Sequence, residues 1–309
     1  MLQVNKQQKE VQQVLLDAEK ATLNELKKSY KTALEDINFK LSELMARQDA
    51  DMQHVIYQIE YQKALKGQVQ TILEQLHSDE FETLTKYLTD SYNLGYIGTM
   101  YDIAGQGIPL IMPIDQNKVL DAILNDTKLK KSLYEELGID IKELKKTISA
   151  EISRGISTGL SYGEIARNIK SSSNIPMNRA MTIARTEAHR INCKASSDAQ
   201  KVAKSKGADV VKQWDASLDS STRDTHRLLD GQIRELDEPF TVHGLSADYP
   251  GGFGDPAEDC NCRCSILQRA KWALDESELD VLKERAEYFG LDKTEDFNEF
   301  QKKYLKATS

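Results

Sequence analysis

A chain of 309 residues with 39% hydrophobic and 29% charged residues suits a water-soluble protein of two or three domains. The net charge of −8 is uneven: residues 145–212 carry thirteen Lys/Arg against five Asp/Glu, between acidic flanks. No run approaches the roughly 18 apolar residues of a membrane span, and the start Met1-Leu2-Gln3-Val4-Asn5-Lys6 lacks a signal-peptide core, so a cytoplasmic origin and no membrane partner are expected.

Residues 5–48 contain neither Pro nor Gly and predict one long helix. Leu16, Leu23, Tyr30, Ile37 and Leu44 recur every seven residues, with Leu26, Ala33, Leu34 and Leu41 beside them, a stripe that wants a partner helix. Residues 50–77 read as a second helix through Met52, Val55, Ile56, Ile59, Val69, Ile72, Leu73 and Leu76. Ser78-Asp79-Glu80 reads as the start of a third, to Tyr92. Gly95, Gly98, Gly105, Gly107, Pro109 and Pro113 then predict a connector, with a short strand near 109–114. No Gly-Lys-Ser/Thr follows these glycines, which argues against a phosphate loop.

Helices are expected again at 115–125, 127–137 and 140–158, with Gly138 and Gly159 as C-terminal glycines. Ser161-Tyr162-Gly163-Glu164 has capping-box spacing and predicts a helix to Ser171. The Ser171–Pro176 stretch should break it before a helix over 177–206. After Gly207 the pattern turns to β: a strand over 209–215, a short helix over 219–229, a turn at Asp230-Gly231 and short strands at 232–234 and 240–242. Residues 244–258 read as loop, 262–267 as a last strand and 275–306 as an amphipathic helical tail. The predicted class is α+β, predominantly α: a long helical N-terminal arm (1–92), a helical middle (93–176), a small α+β motif domain (177–270) and a helical C-terminal tail (271–309).

The unusual residues concentrate in 185–268, which holds all four cysteines and three of the five histidines. Arg185 and Glu187, two apart on a helix, point to different faces and need separate partners. Arg185 suits a carboxylate such as Asp224 or Asp230. Arg223, His226 and Asp230 fall on about one helical face, which allows a structural network, a metal ligand or a general base at His226. Cys260, Cys262 and Cys264 raise the question of zinc. In a flat strand alternate residues are about 6.6 Å apart, whereas two thiolates on one zinc are only about 3.8 Å apart. A strand therefore cannot offer all three to one ion. A loop or bulge could offer two, with His226 or His243 completing the set. Small buried hydrophobes and disulfide formers are the other readings of these thiols. Trp214 reads as core with its indole N–H bonded locally, and Cys193 as packing.

In order and spacing, Ala184-Arg185-Thr186-Glu187, Trp214-Asp215, Thr222-Arg223-Asp224-Thr225-His226-Arg227-Leu228-Leu229-Asp230-Gly231, Phe240, Tyr249-Pro250 and Cys262-Arg263-Cys264 resemble a tailed-phage minor head protein, of the Mu F-like or SPP1 gp7-like head morphogenesis kind. The resemblance spans about residues 92–268. It implies a non-enzymatic structural protein of the virion, in the capsid interior or at the portal vertex, made in the bacterial host cytoplasm. Implied partners are the portal protein and other procapsid proteins, with a bearing on DNA packaging or ejection. Phage DNA could meet the basic 145–212 segment. The resemblance sets Arg185, Glu187, Trp214, Arg223, His226, Asp230, Gly231, Cys262 and Cys264 as the motif network; Cys260 is an addition to the expected C-x-C. Some members carry toxin enzymes fused downstream, for which the helical residues after the motif are too few. A metal-dependent nuclease or a transferase acting through His226 and Asp230, with Arg223 and Glu187, is the alternative.

Overall fold

The computed structural model describes residues 5–47, 55–124, 133–157, 162–217, 219–272 and 276–308. In chain order the elements are α1 (Lys6–Arg47), α2 (Val55–Gly105), α3 (Gln116–Leu124), α4 (Leu133–Ser157), α5 (Tyr162–Ser205), β1 (Ala208–Asp215), α6 (Asp224–Leu229), β2 (Ile233–Arg234), β3 (Phe240–Val242), β4 (Leu245–Ala247), α7 (Pro256–Asp259), β5 (Ser265–Trp272), α8 (Glu276–Tyr288) and α9 (Phe297–Thr308). The fold is α+β and predominantly α. The chain divides into two compact units.

One unit comprises residues 20–85 and 131–184. Its core joins Leu23, Leu26, Tyr30 and Ile37 of α1, Val69, Leu73, Leu76 and Leu84 of α2, Ile141, Leu144, Ile148 and Ile152 of α4, and Ile165, Ile169, Ala180 and Ala184 of α5. The stripe predicted on α1 thus finds partner helices. Two departures follow from this packing. α5 runs unbroken through Pro176, where the lost hydrogen bond and ring clash cost about 3 kcal/mol; apolar side chains on both sides of the proline are buried in the same core, which offsets that cost. α4 likewise continues through Gly138 instead of ending there. Residues 127–132, Gly159, Ser161 and Met52 lie outside the described residues, as do the side chains of Leu41, Leu44, Val55, Ile56 and Ile59.

The other unit comprises residues 1–19, 86–130 and 185–309. Leu16, expected in the stripe, is 49% exposed. The first part of the predicted connector, through Gly105, is the end of α2; the rest, with Gly107, Pro109 and Pro113, is irregular chain, and 109–114 forms no strand. Gly95, Gly98 and Gly105 serve close approach. A Cβ on Gly98 would lie 2.6 Å from Val11 Cγ1, and one on Gly95 would collide with the carbonyl of Asn192 on α5. The tail is two helices broken at Gly290, whose φ is +67°. Tyr101 stacks 4.8 Å from Phe300, and Tyr304 Oη accepts the Met112 amide (2.9 Å) and donates to its carbonyl (2.7 Å).

The sheet in this unit has the order β2-β1-β5, antiparallel throughout, with Trp214 opposite Ile266 and Asp215 opposite Ser265. The last strand begins at Ser265, three residues later than predicted. Within the stretch read as loop, β4 pairs with β3 and α7 adds one turn. His243 and Gly244 link β3 to β4 with φ of +48° and +81°, a primed hairpin turn.

Candidate functional site

The site forms where the start of β5, the end of β1, α6 and the middle of α5 meet. Trp214 is fully buried at the end of β1, edge-on to Phe240 (5.2 Å) and His226 (5.7 Å) and beside Phe253 (5.8 Å). With Ala216, Leu229, Val242, Ala247, Cys262 and Cys264 these rings make one small core. The motif residues are therefore packing residues first.

Into this core α6 inserts an imidazole. His226 Nδ1 stands 3.2 Å from Cys264 Sγ and 3.7 Å from Cys262 Sγ. Its Nε2 is 3.0 Å from Glu258 Oε2, in contact but out of line for a hydrogen bond. Glu258 is itself held by Thr225 Oγ1 at 2.9 Å. His226, Cys262 and Cys264 place their ligand atoms within 4.8 Å of one another, all buried. Asn261, at φ +53°, kinks the chain before the strand begins. That kink escapes the 6.6 Å spacing of a flat strand and lets two thiols converge. Cys260 and His243 lie outside this group: Cys260 is half-buried beside Thr186, Glu187 and Tyr249, and His243 is exposed.

The two thiols perturb each other in opposite directions. Cys262 is held well below the usual thiol range by the hydrogen bond from Cys264, whose own pKa is pushed up by that bond and by burial. His189 and Cys193 of α5 lie next to the group: Cys193 Sγ is 3.7 Å from His189 Nε2, and the His189 ring neighbours Cys262. A lone histidine and a lone cysteine on a helix gave no sign of this beyond their four-residue spacing. The Trp214 indole N–H, expected to be bonded locally, finds no aligned acceptor; Cys264 sulfur is the polar atom beside it.

The other motif residues anchor the cysteine loop. Arg185 pairs with Glu19 at 2.8 Å and reaches Asn261 at 3.3 Å, instead of Asp224 or Asp230. Arg263 shares Glu19 at 3.2 Å. Glu187 pairs with Arg190 at 2.9 Å, both buried, and Arg190 also donates to the Ala122 carbonyl. Arg223 donates to the Cys260 carbonyl at 2.6 Å, and Asp230 Oδ1 accepts the Ala216 amide at 2.9 Å. Asp230 thus closes the turn at Gly231, whose φ is +75°, away from His226. Two buried groups had no sequence signal. Asp259 accepts the amides of Phe253 and Gly254 at 3.1 and 2.7 Å, with its pKa raised by burial. Lys212 donates to the carbonyls of Leu236 and Asp248 at 3.1 and 3.2 Å, with its pKa lowered by burial. A cleft of about 280 Å³ opens above His226, Cys262 and Cys264, rimmed by Arg185, Arg223 and Arg263.

The fold and site define a helical protein with a small, internally cross-braced α+β motif domain. Residues 146–267 match the family described as Phage Mu protein F like protein, and in these residues the chain is similar to that phage head family. It is 31% identical over 184 residues to the minor head protein GP7 of Bacillus phage SPP1, covering 59% of this chain and 58% of that protein. It is 33% identical over 270 residues to a protein of Enterococcus faecalis (strain ATCC 700802 / V583) named NAD(+)--arginine ADP-ribosyltransferase EFV, covering 87% of this chain and 55% of that protein. The chain thus spans little more than half the length of these curated relatives. No solved structure matches it significantly. Among the described residues no helix is long and apolar enough to cross a membrane.

Proposed function

We propose that this chain is a non-enzymatic minor head protein of a tailed phage, which joins the assembling head beside the portal and bears on DNA packaging or delivery. The observation that carries this reading is where the matched motif goes. Trp214, His226, Cys262 and Cys264 are each no more than 2% exposed, and Arg185, Arg223 and Asp230 are engaged with Glu19, the Cys260 carbonyl and the Ala216 amide. Such residues hold a scaffold together. Contact with DNA through residues 145–212 has less behind it, because many of the cations there face carboxylates of the chain itself: Lys145 with Glu74, Arg190 with Glu187, Lys194 with Asp198 and Lys204 with Glu235.

The test is retention of the full chain on the portal ring of the phage that encodes it, at moderate salt, with co-purification in heads. Stoichiometric retention on the ring is the expected result. A chain that neither binds the ring nor appears in heads would overturn the reading.

The name of the Enterococcus protein favours a second reading, ADP-ribosyl transfer. That protein is matched over 55% of its length, which leaves room for its named activity outside the shared part. The cleft above His226 is the place where this chain would act. Incubation with labelled NAD and an arginine-rich acceptor should leave both unchanged; transfer of label would replace the non-enzymatic reading with this one.

A further inference from the structure

We propose that His226, Cys262 and Cys264 bind a zinc-class divalent ion that ties α6 to the cysteine loop. Zinc holds sulfur at about 2.3 Å and imidazole nitrogen at about 2.0–2.1 Å, so its ligand atoms lie roughly 3.3–3.8 Å apart. The Nδ1–Sγ distances of 3.2 and 3.7 Å already have that scale. Two thiols and an imidazole select zinc over magnesium, calcium or manganese, which prefer oxygen.

Three independent features point the same way. The ring nitrogen of His226 turned away from the thiols faces Glu258, and Glu258 is fixed in turn by Thr225. A metal-bound histidine ordinarily has such a carboxylate behind it, which sets the tautomer and raises the basicity of the ligand nitrogen. The indole N–H of Trp214 is fully buried without an aligned acceptor, beside Cys264 sulfur; a metal-held thiolate is a far better acceptor than a thiol. Finally, an imidazole and two thiols are closed into an aromatic core, where polar groups carry a desolvation cost unless matched. Cys260 takes no part, because the Asn261 kink sends it to the other side of the loop.

The test uses the full chain, purified without added metal or chelator. Elemental analysis should find about one zinc per chain, as for a structural site. Cys262→Ser and Cys264→Ser should lose it, and Cys260→Ser should keep it. Since the first two variants can fail to fold, cobalt exchange into the unaltered chain provides a separate reading. It should give a thiolate-to-cobalt charge-transfer band and the intense visible spectrum of a tetrahedral ion. Chelation should lower the melting temperature. Absence of both zinc and the cobalt band would overturn the proposal. So would a melting temperature indifferent to chelation, loss of metal in Cys260→Ser equal to that in Cys262→Ser, or a Cys262–Cys264 disulfide detected by mass.

Discussion

Thr186 Oγ1 accepts the backbone amide of Asn261 at 3.1 Å, joining the middle of α5 to the one cysteine-loop residue whose φ is positive, at +53°. The hydroxyl fixes the kink that sends Cys260 to one side and Cys262 to the other. Thr186→Val keeps the shape and removes the acceptor. It should cost about 1 kcal/mol, the usual net worth of a neutral hydrogen bond with a partly wetted donor. Asn261→Val, which forces a β-branched residue into the left-handed region, should cost more, about 1–3 kcal/mol. Asn261→Gly should be milder than Asn261→Val. Urea denaturation of the three variants checks the ranking; equal losses for Asn261→Val and Asn261→Gly would show that the kink is not a strained position.

Asp102 gathers the amide side chains of Asn5, Gln8, Gln106 and Gln268 on one buried carboxylate. The donors cannot simply be reversed. The Gln8 oxygen accepts the Asn5 amide, the Gln106 oxygen accepts the Ala270 amide, and the Gln268 oxygen accepts from Gln200. Asp102→Asn sets donors against a donor and should cost about 2–4 kcal/mol. The pH dependence has a definite sign. Burial raises the Asp102 pKa above the ordinary value of 3.8, against the pull of the amides. The folded state therefore binds the proton more tightly than the unfolded one. The stability this gives is fully present below the unfolded value and is lost as pH rises through the folded one. The gap between the unaltered chain and Asp102→Asn should accordingly shrink as pH rises above about 4. Denaturation midpoints across that range decide it; a widening gap would mean that the amides outweigh burial.

What could be read from the residues and what could not divide by the range of the interaction. Leu23, Leu26, Tyr30 and Ile37 announce a buried helix face by period alone, and their core is where the period puts it. Trp214, His226 and the C-x-C thiols were recognisable as one motif, and they converge. Glycine is where composition misleads. Gly95 and Gly98 have the frequency of a connector but serve as contact points within a helix, a difference that depends on Asn192 and Val11, far off in sequence. Pro176 misleads for the same reason, since the packing that carries α5 past it is not local. Glu19 could not be matched to Arg185 across 166 residues when nearer carboxylates stood on offer. His189 has nothing unusual around it until the fold brings Cys262 to its ring.

Lys212 is the buried cation whose role is easiest to isolate. Its side chain is 1% exposed, spans the Leu236 and Asp248 carbonyls, and lies 5.4 Å over the Phe240 ring. Lys212→Met keeps most of the stem and removes the charge. The loss should be about 1–3 kcal/mol, because two charge-assisted bonds go while the burial cost of the ammonium goes with them. Lys212→Ala adds a cavity and should cost at least 1 kcal/mol more. Thermal denaturation of the pair checks it; if methionine matches lysine, the bonds to the hairpin contribute nothing beyond packing.

Glu19 balances two arginines at the cleft, Arg185 at 2.8 Å and Arg263 at 3.2 Å, with Arg223 on the same rim. Arg263 is 43% exposed and Arg185 28%, so each pair is screened by solvent and Glu19→Gln should cost at most about 1 kcal/mol in stability. The larger consequence is electrostatic. Removing the shared carboxylate leaves three guanidinium groups around one opening, and a planar fork that has lost its carboxylate takes a tetrahedral oxyanion readily. Sulfate, compared with chloride at equal ionic strength, should therefore raise the melting temperature of Glu19→Gln more than that of the unaltered chain. Equal ionic strength matters because general screening falls within about a Debye length and would otherwise imitate binding. An equal response of the two proteins to sulfate would show that Glu19 leaves the rim unneutralised; a greater response in the variant identifies Glu19 as the group that keeps anions out of the cleft.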